Sequence, residues 1–254
     1  MKNFLIVGTQ RTGSSALAEL LGLHPQITCA WESTRAVHPF QKIVVAEEVF
    51  SGNFSNLRKK EKEYLSDLHN TNKTALGFRR LFNSSDKWII HPRYAPALFK
   101  DRLEAHLSWL ANRRPDVSII HIVRTDNLAW LKSMGLSSQT GVYIGKKYPD
   151  DAEIRWDPKT AEKRVRSKIW LGNRLSSLAS SNPYMCVEYE SFRSDNSGVL
   201  KSVLAFLGFR GNYTAVAPTT TGIQSKSSIA HGFSNWDEIQ LHLEQMALLK
   251  EKSS

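Results

Sequence analysis

The sequence predicts an α/β fold of three layers, with a central, mostly parallel sheet flanked by helices. Three observations lead there. Phe4-Leu5-Ile6-Val7 and Val117-Ser118-Ile119-Ile120-His121-Ile122-Val123 are apolar runs of the kind carried by strands buried on both faces. Each is followed closely by a helical pattern, Ala16-Leu17-Ala18-Glu19-Leu20-Leu21 after the first and the Leu128, Leu131, Met134 stripe after the second. Strand and helix signals then alternate to the end, a layout that puts ligands at the carboxyl edge of the sheet. At 254 residues the chain suits one large domain, 1–254, with a helical insertion at about 36–70 and a lid-like loop at about 135–158.

The first strand runs into Gly8-Thr9-Gln10-Arg11-Thr12-Gly13-Ser14-Ser15. Gly8 and Gly13 have the spacing of the phosphate-binding loop, G-x-x-x-x-G-K-[ST], so the fold is expected to be P-loop-like. Backbone N–H groups and a helix N-terminus converge in such a turn and attract a phosphate. One position departs from the pattern. Ser14 stands where a nucleoside triphosphatase carries the Lys that reaches the outer phosphates, and the loop's only cation is Arg11. The charge therefore suits an anion joined to a single phosphate better than a magnesium-bound triphosphate. Ile6 to Ser15 resembles the 5′-phosphosulfate loop of the PAPS-dependent sulfotransferases, most of all their bacterial and carbohydrate-type branch. There the loop often reads as a basic residue, Ser or Thr, Gly, then two hydroxyl residues.

Gly22 and His24-Pro25 end the first helix, and a short strand, Ile27-Thr28-Cys29-Ala30, delivers Trp31-Glu32-Ser33. The resemblance implies an acceptor-side carboxylate at this place, so Glu32 is the expected base for the acceptor's proton. Ser33-Thr34 also fits a helix start at which Glu32 would be a cap or surface ion pair, and His24, His38 and His91 are alternative bases. Phe40, Val44, Val45 and Val49, then Leu57, Tyr64, Leu65 and Leu68, have helical spacing. Such an insertion in this family commonly helps to form the acceptor pocket. Ala75 to Arg79 reads as the next strand, with Arg79 and Arg80 as basic residues at its end. Pro96 to Leu110 reads as a helix in which Trp109 and Leu110 pack.

The strongest strand, Val117 to Val123, ends in Arg124, and Asp126 is placed to cap the helix that follows. Arg124-Thr125-Asp126-Asn127-Leu128-Ala129-Trp130-Leu131-Lys132-Ser133 resembles the 3′-phosphate motif of the same family. The resemblance implies a forked, charge-assisted contact from Arg124 and a hydroxyl contact from Ser133. Arg124 stands one residue further from Ser133 than in many members, with Thr125 at the usual offset. Gly135 to Pro158 reads as irregular, an expected acceptor-side lid.

Pro158 opens a long helix to about Ser180, Tyr184-Met185-Cys186-Val187 is a strand, and Val199 to Leu207 is an amphipathic helix closed by Gly208. Tyr189-Glu190 with Phe206-Leu207-Gly208 resembles a stretch that recurs in sulfotransferases and reads as architecture. Gln224 to Ser228 resembles a C-terminal loop that closes over the nucleotide, with Lys226 over the 3′-phosphate end; a linker is the alternative. The last helix, about Asn235–Lys250, carries Ile239, Leu243, Met246 and Ala247.

Lys+Arg 34 against Asp+Glu 24 gives a net charge of +10, a field suited to a polyanionic small ligand. The excess is spread along the chain, so no nucleic-acid partner is expected. Two cysteines, Cys29 and Cys186, suit a reducing compartment. With no signal-peptide pattern and no window of transmembrane length, the expected location is cytoplasmic. The resemblance implies an enzyme that moves a sulfuryl group from PAPS to a hydroxyl or amine of a carbohydrate or small-molecule acceptor, without a metal. Arg11 and Glu32 would be catalytic; Arg11, Thr12, Gly13, Ser14, Ser15, Arg124, Ser133 and Lys226 would bind the donor. A P-loop nucleotide kinase or triphosphatase, or a non-catalytic nucleotide- or anion-binding protein, are the alternatives.

Overall fold

The computed structural model describes residues 2–30, 75–82, 96–142, 148–209 and 232–248. Its strands are β1 (Lys2–Thr9), β2 (Ile27–Ala30), β3 (Ala75–Phe82), β4 (Ser118–Val123) and β5 (Tyr184–Glu188). They form one parallel sheet in the order β2-β3-β1-β4-β5. The helices are α1 (Ser14–Gly22), α2 (Pro96–Arg113), α3 (Asn127–Thr140), α4 (Pro158–Ser176), α5 (Tyr189–Ser194), α6 (Asn196–Phe206) and α7 (Trp236–Gln245), with a 3₁₀ turn at Ser177–Ser180.

Alternation along β1 and β4 explains both covered faces. Phe4, Ile6, Ile120 and Ile122 pack with Leu17, Leu20 and Leu21 of α1, Phe192 of α5 and Leu200, Val203 and Leu204 of α6. Val7 and Ile119 point to the other face, against Leu103, Leu107 and Leu110 of α2 and Leu171 and Leu175 of α4. Strands enclosed this way have no solvent face, which is why their sequences are mostly apolar, with Ser118 and His121 as buried polar residues of β4. The fold is therefore the three-layer, P-loop-like α/β arrangement expected from the sequence. A third cluster joins α3, α4 and α7 with Tyr148, Ile154 and Phe233.

The topology locates the ligand edge. β1 and β4 are neighbours in register, with Gly8 opposite Ile122. The chain leaves β1 for β2 on one side of the sheet and leaves β4 for β5 on the other. Connections diverge at that pair, and a crevice opens at the carboxyl ends of strands where they do so. The Gly8 loop and the Arg124 turn both start there. Gly8 is required by the closeness of the strands, because a Cβ on it would lie 2.7 Å from the Ile122 carbonyl oxygen.

Several expectations need correction. β3 continues to Phe82, so Arg79 and Arg80 lie within the strand instead of at its end. The predicted irregular stretch does not begin at Gly135: α3 runs on to Thr140 and ends at Gly141. Gly135 serves packing, since a Cβ there would meet Ile154 Cδ1 at 2.7 Å. Residues 148–157 are tied down, with Tyr148 and Ile154 buried and Ile154 bridged to Phe233. The final helix stops at Gln245, and Ala247 takes a left-handed φ of 52° in a 6→1 turn closed by Leu248 N–H to the Leu243 carbonyl. Met246 and Ala247 are thus not on its apolar side. The insertion at 36–70 lies outside the described residues.

Replacing Gly8 by Ala forces β1 and β4 apart against backbone, and a loss of about 1–3 kcal/mol in unfolding free energy is expected from such overpacking. Urea denaturation of Gly8→Ala beside the wild-type chain checks it.

Candidate active site

Between β1 and α1 three successive carbonyls are each claimed by a side chain. Thr12 Oγ1 donates to Thr9 O at 2.8 Å, Trp130 Nε1 to Gln10 O at 2.8 Å, and Arg124 Nη1 to Arg11 O at 3.2 Å. Across a trans peptide the next residue's N–H points the opposite way, so the amides of Gln10, Arg11 and Thr12 face away from these partners. Arg11 and Gly13 both have left-handed φ, 64° and 83°, which curls the loop. Gly13 is the N-cap of α1 and supplies no side chain to its first amides. Curled amides leading into an uncapped helix form a concave anion site.

The Arg124 turn is built against the same loop. The Arg124 guanidinium stacks on Tyr189, 4.6 Å from the ring centroid. The Tyr189 ring also occupies the space above Gly13, where a Cβ would come within 2.6 Å of it. Glu190 accepts from Thr125 N and Asp126 N, both at 3.1 Å. Burial alone would raise the Glu190 carboxyl, but those amides outweigh it and hold the carboxyl below its usual value. Asp126 caps α3, accepting from Ala129 N at 2.8 Å, as expected from the sequence.

The Arg11 side chain crosses to α3. Its Nε donates to Ser133 Oγ at 2.9 Å and its Nη2 to the Tyr148 hydroxyl at 2.8 Å. The two motifs therefore form one site, although Arg11 and Ser133 are 122 residues apart. Burial lowers the Arg124 pKa most; Tyr189, Asp126 and Glu190 raise it and Arg11 lowers it further. Arg124 Nε is buried with no hydrogen-bond partner. Neighbouring guanidinium groups repel, and a buried N–H without an acceptor is costly, so this donor set fits an anion bearing phosphate groups.

A family model described as the sulfotransferase family matches residues 3–212. The chain belongs to the sulfotransferase family. Several solved structures also align with it. A sulfotransferase from Alicyclobacillus acidocaldarius aligns over 99% of this chain and 97% of its own, at 15% identity and a TM-score of 0.47. The sulfotransferase domain from the Synechococcus PCC 7002 olefin synthase aligns over 97% and 94%, at 17% identity and 0.44. The sulfotransferase domain from the curacin biosynthetic pathway aligns over 100% and 94%, at 13% identity and 0.46. No curated protein matches this sulfotransferase.

Of the residues expected to act, Arg11, Thr12, Gly13, Ser14, Ser15, Arg124 and Ser133 fall at one place. Thr12 is buried and its hydroxyl braces the loop by donating to Thr9 O. Ser14 is buried and Ser15 half-buried in the first turn of α1. Glu32, Lys226, His38 and His91 lie outside the described residues. His24 follows the C-terminal end of α1, remote from the loop at the other end of that helix, and its ring packs on Phe209. It is no longer a candidate base. Among the described residues no helix is long and apolar enough to cross a membrane.

Sequence reading missed Tyr148, Trp130 and Lys168 as parts of the site. Lys168, in the middle of α4, is buried; its Nζ donates to Asn127 Oδ1 and lies 5.2 Å from the centre of the Trp130 ring. Asn127 Nδ2 in turn donates to the Leu248 carbonyl at 2.6 Å. Burial chiefly, with the charge of Arg124, pushes the Lys168 ammonium down to about 7 against the pull of Glu190 and Asp126.

That shift gives a pH dependence of defined sign. Folded Lys168 loses its proton near pH 7, whereas the unfolded chain keeps it to about 10.4. Unfolding between those values takes up a proton, so this group's contribution to stability improves as pH rises through the window. Below it both states are charged and the full burial penalty applies. The expected result is that wild-type stability, measured against Lys168→Met by chemical denaturation, climbs from about pH 7 to about pH 10 and is level at lower pH.

Proposed function

We propose that this sulfotransferase takes the sulfuryl group from PAPS and transfers it to a hydroxyl or amine of a carbohydrate or small-molecule acceptor. The observation that carries this reading is the convergence of Arg11, Ser133 and Arg124 on the crevice between β1 and β4. Two cationic side chains from separate motifs suit a ligand with phosphate at both ends of one nucleoside. When bound, PAPS supplies the activated sulfuryl group.

The chain's own residues divide the work. Arg11 and the amides of Thr12 to Ser15 hold the 5′-phosphate and aim N–H donors at the oxygen that gains charge as the sulfur–oxygen bond breaks. Donors fixed beforehand in this way often remove several kcal/mol from a barrier. Arg124 and Ser133 hold the 3′-phosphate. The Ser133 hydroxyl accepts from Arg11 Nε, which leaves its own proton to give to a phosphate oxygen. Tyr189 and Glu190 keep Arg124 and its turn in place. Glu32 takes the acceptor's proton, and Lys226 covers the 3′-phosphate end. Alignment of donor and acceptor supplies much of the remaining acceleration.

Titration with 3′,5′-ADP and with 5′-AMP tests the donor. The 3′-phosphate is expected to tighten binding roughly 10–100-fold, the worth of charge-assisted hydrogen bonds. Arg124→Ala should remove most of that preference. Equal affinity of the wild-type chain for the two nucleotides would overturn the assignment. Arg11→Ala should abolish transfer of label from PAPS to acceptors in an extract while its far-ultraviolet circular dichroism matches the wild type.

A further inference from the structure

We infer that Tyr148 is a positioning residue for Arg11: with Ser133 Oγ it sets the plane of the guanidinium that serves the 5′-phosphate. The contact thereby ties the segment between α3 and α4 to the donor loop. The inference rests on the role proposed above for Arg11 and goes further, because nothing in the local sequence around Tyr148 assigns it a function.

Nε and Nη2 lie on the same edge of a guanidinium. Here that edge meets two hydroxyl groups, Ser133 Oγ at 2.9 Å and the Tyr148 oxygen at 2.8 Å. Two adjacent donors held at once fix both the direction of the side chain and the tilt of its plane; one would leave the plane free to turn. An Arg side chain has many rotamers, and ordering it in advance spares the entropy cost of fixing it when a ligand arrives. A hydroxyl also orients a cation without adding an opposing charge.

Tyr148 is itself held firmly. Only 9% of it is exposed, and its ring packs in the cluster that includes Met134, Ile154 and Phe233. Its own proton faces the Ser133 carbonyl, 3.5 Å away. Ser133 thus touches both partners, through its hydroxyl to Arg11 and its carbonyl to Tyr148, and the three groups close a triangle. The ring arrives from the chain that follows α3, pinned in turn by the Ile154–Phe233 bridge. A displacement of this segment would release the Tyr148 anchor of Arg11.

The test compares 3′,5′-ADP with 3′-AMP, which lacks the 5′-phosphate, by calorimetric titration of the wild-type chain and Tyr148→Phe. The ratio of the two affinities measures what the 5′-phosphate contributes. Loss of one positioning hydrogen bond is expected to lower that ratio about five- to tenfold, with 3′-AMP binding changed less than about twofold. A ratio unchanged by the substitution, or equal weakening of both nucleotides, would overturn the inference and leave Tyr148 as packing only. A wild-type chain that binds the two nucleotides equally would instead sink the assigned role of Arg11, and this inference with it. A second measurement needs no substitution at Tyr148: the Arg11 side-chain nitrogens of the wild-type chain, identified by their loss in a folded Arg11→Lys variant, should give separate ¹⁵N signals because rotation is hindered. A single averaged signal would also overturn the inference.

Discussion

The carbonyls of Thr9, Gln10 and Arg11 are each held by a side chain, two of the three from outside the loop, and the geometry of the site depends on that restraint. A short loop with left-handed backbone at Arg11 has little reason to persist by itself, since such a conformation costs a non-glycine residue roughly 1–3 kcal/mol. Three side chains over-determine it. One comes from the loop, one from the end of β4 and one from α3, so the loop has its shape only when the sheet and the next crossover are assembled. The shape of the loop and the assembly of the fold are here the same event.

The electrostatics follow from that assembly. Arg124 can reach the Arg11 carbonyl only by coming close to a second guanidinium, and Lys168 lies behind them in the protein interior. Such a gathering of cations is tolerated because Tyr189 offers a ring face to Arg124 and Glu190 places a carboxylate at the same turn. The carboxylate is spent on two backbone amides. It steadies the turn through those amides and makes no direct ion pair with Arg124.

The sheet was legible because strands covered on both faces must be largely apolar; β2, β4 and β5 lie within a residue of their expected bounds, and β1 extends two residues beyond its apolar run at each end. The two motifs were legible because each is a local strand–turn–helix unit. What escaped depends on contacts between distant residues. Tyr148 and Arg11 are 137 residues apart, and no window of sequence joins them. Lys168 sits in a strongly charged helix where one more lysine looks solvated. Gly135 was misread because a glycine that makes room for Ile154 is indistinguishable in sequence from one that breaks a helix. The end of α7 was hidden because Ala247 fills a place usually taken by glycine.

β1 is clasped between β3 and β4 by backbone hydrogen bonds along most of its length. Neighbouring strands lie about 4.8 Å apart whatever side chains they carry, so the sheet acts as a ruler beneath the two loops. Chain inserted between β2 and β3, or exchanged beyond α3, leaves that measure unaltered. A scaffold of this kind can trade the walls of its pocket for others while the span across its crevice is inherited unchanged.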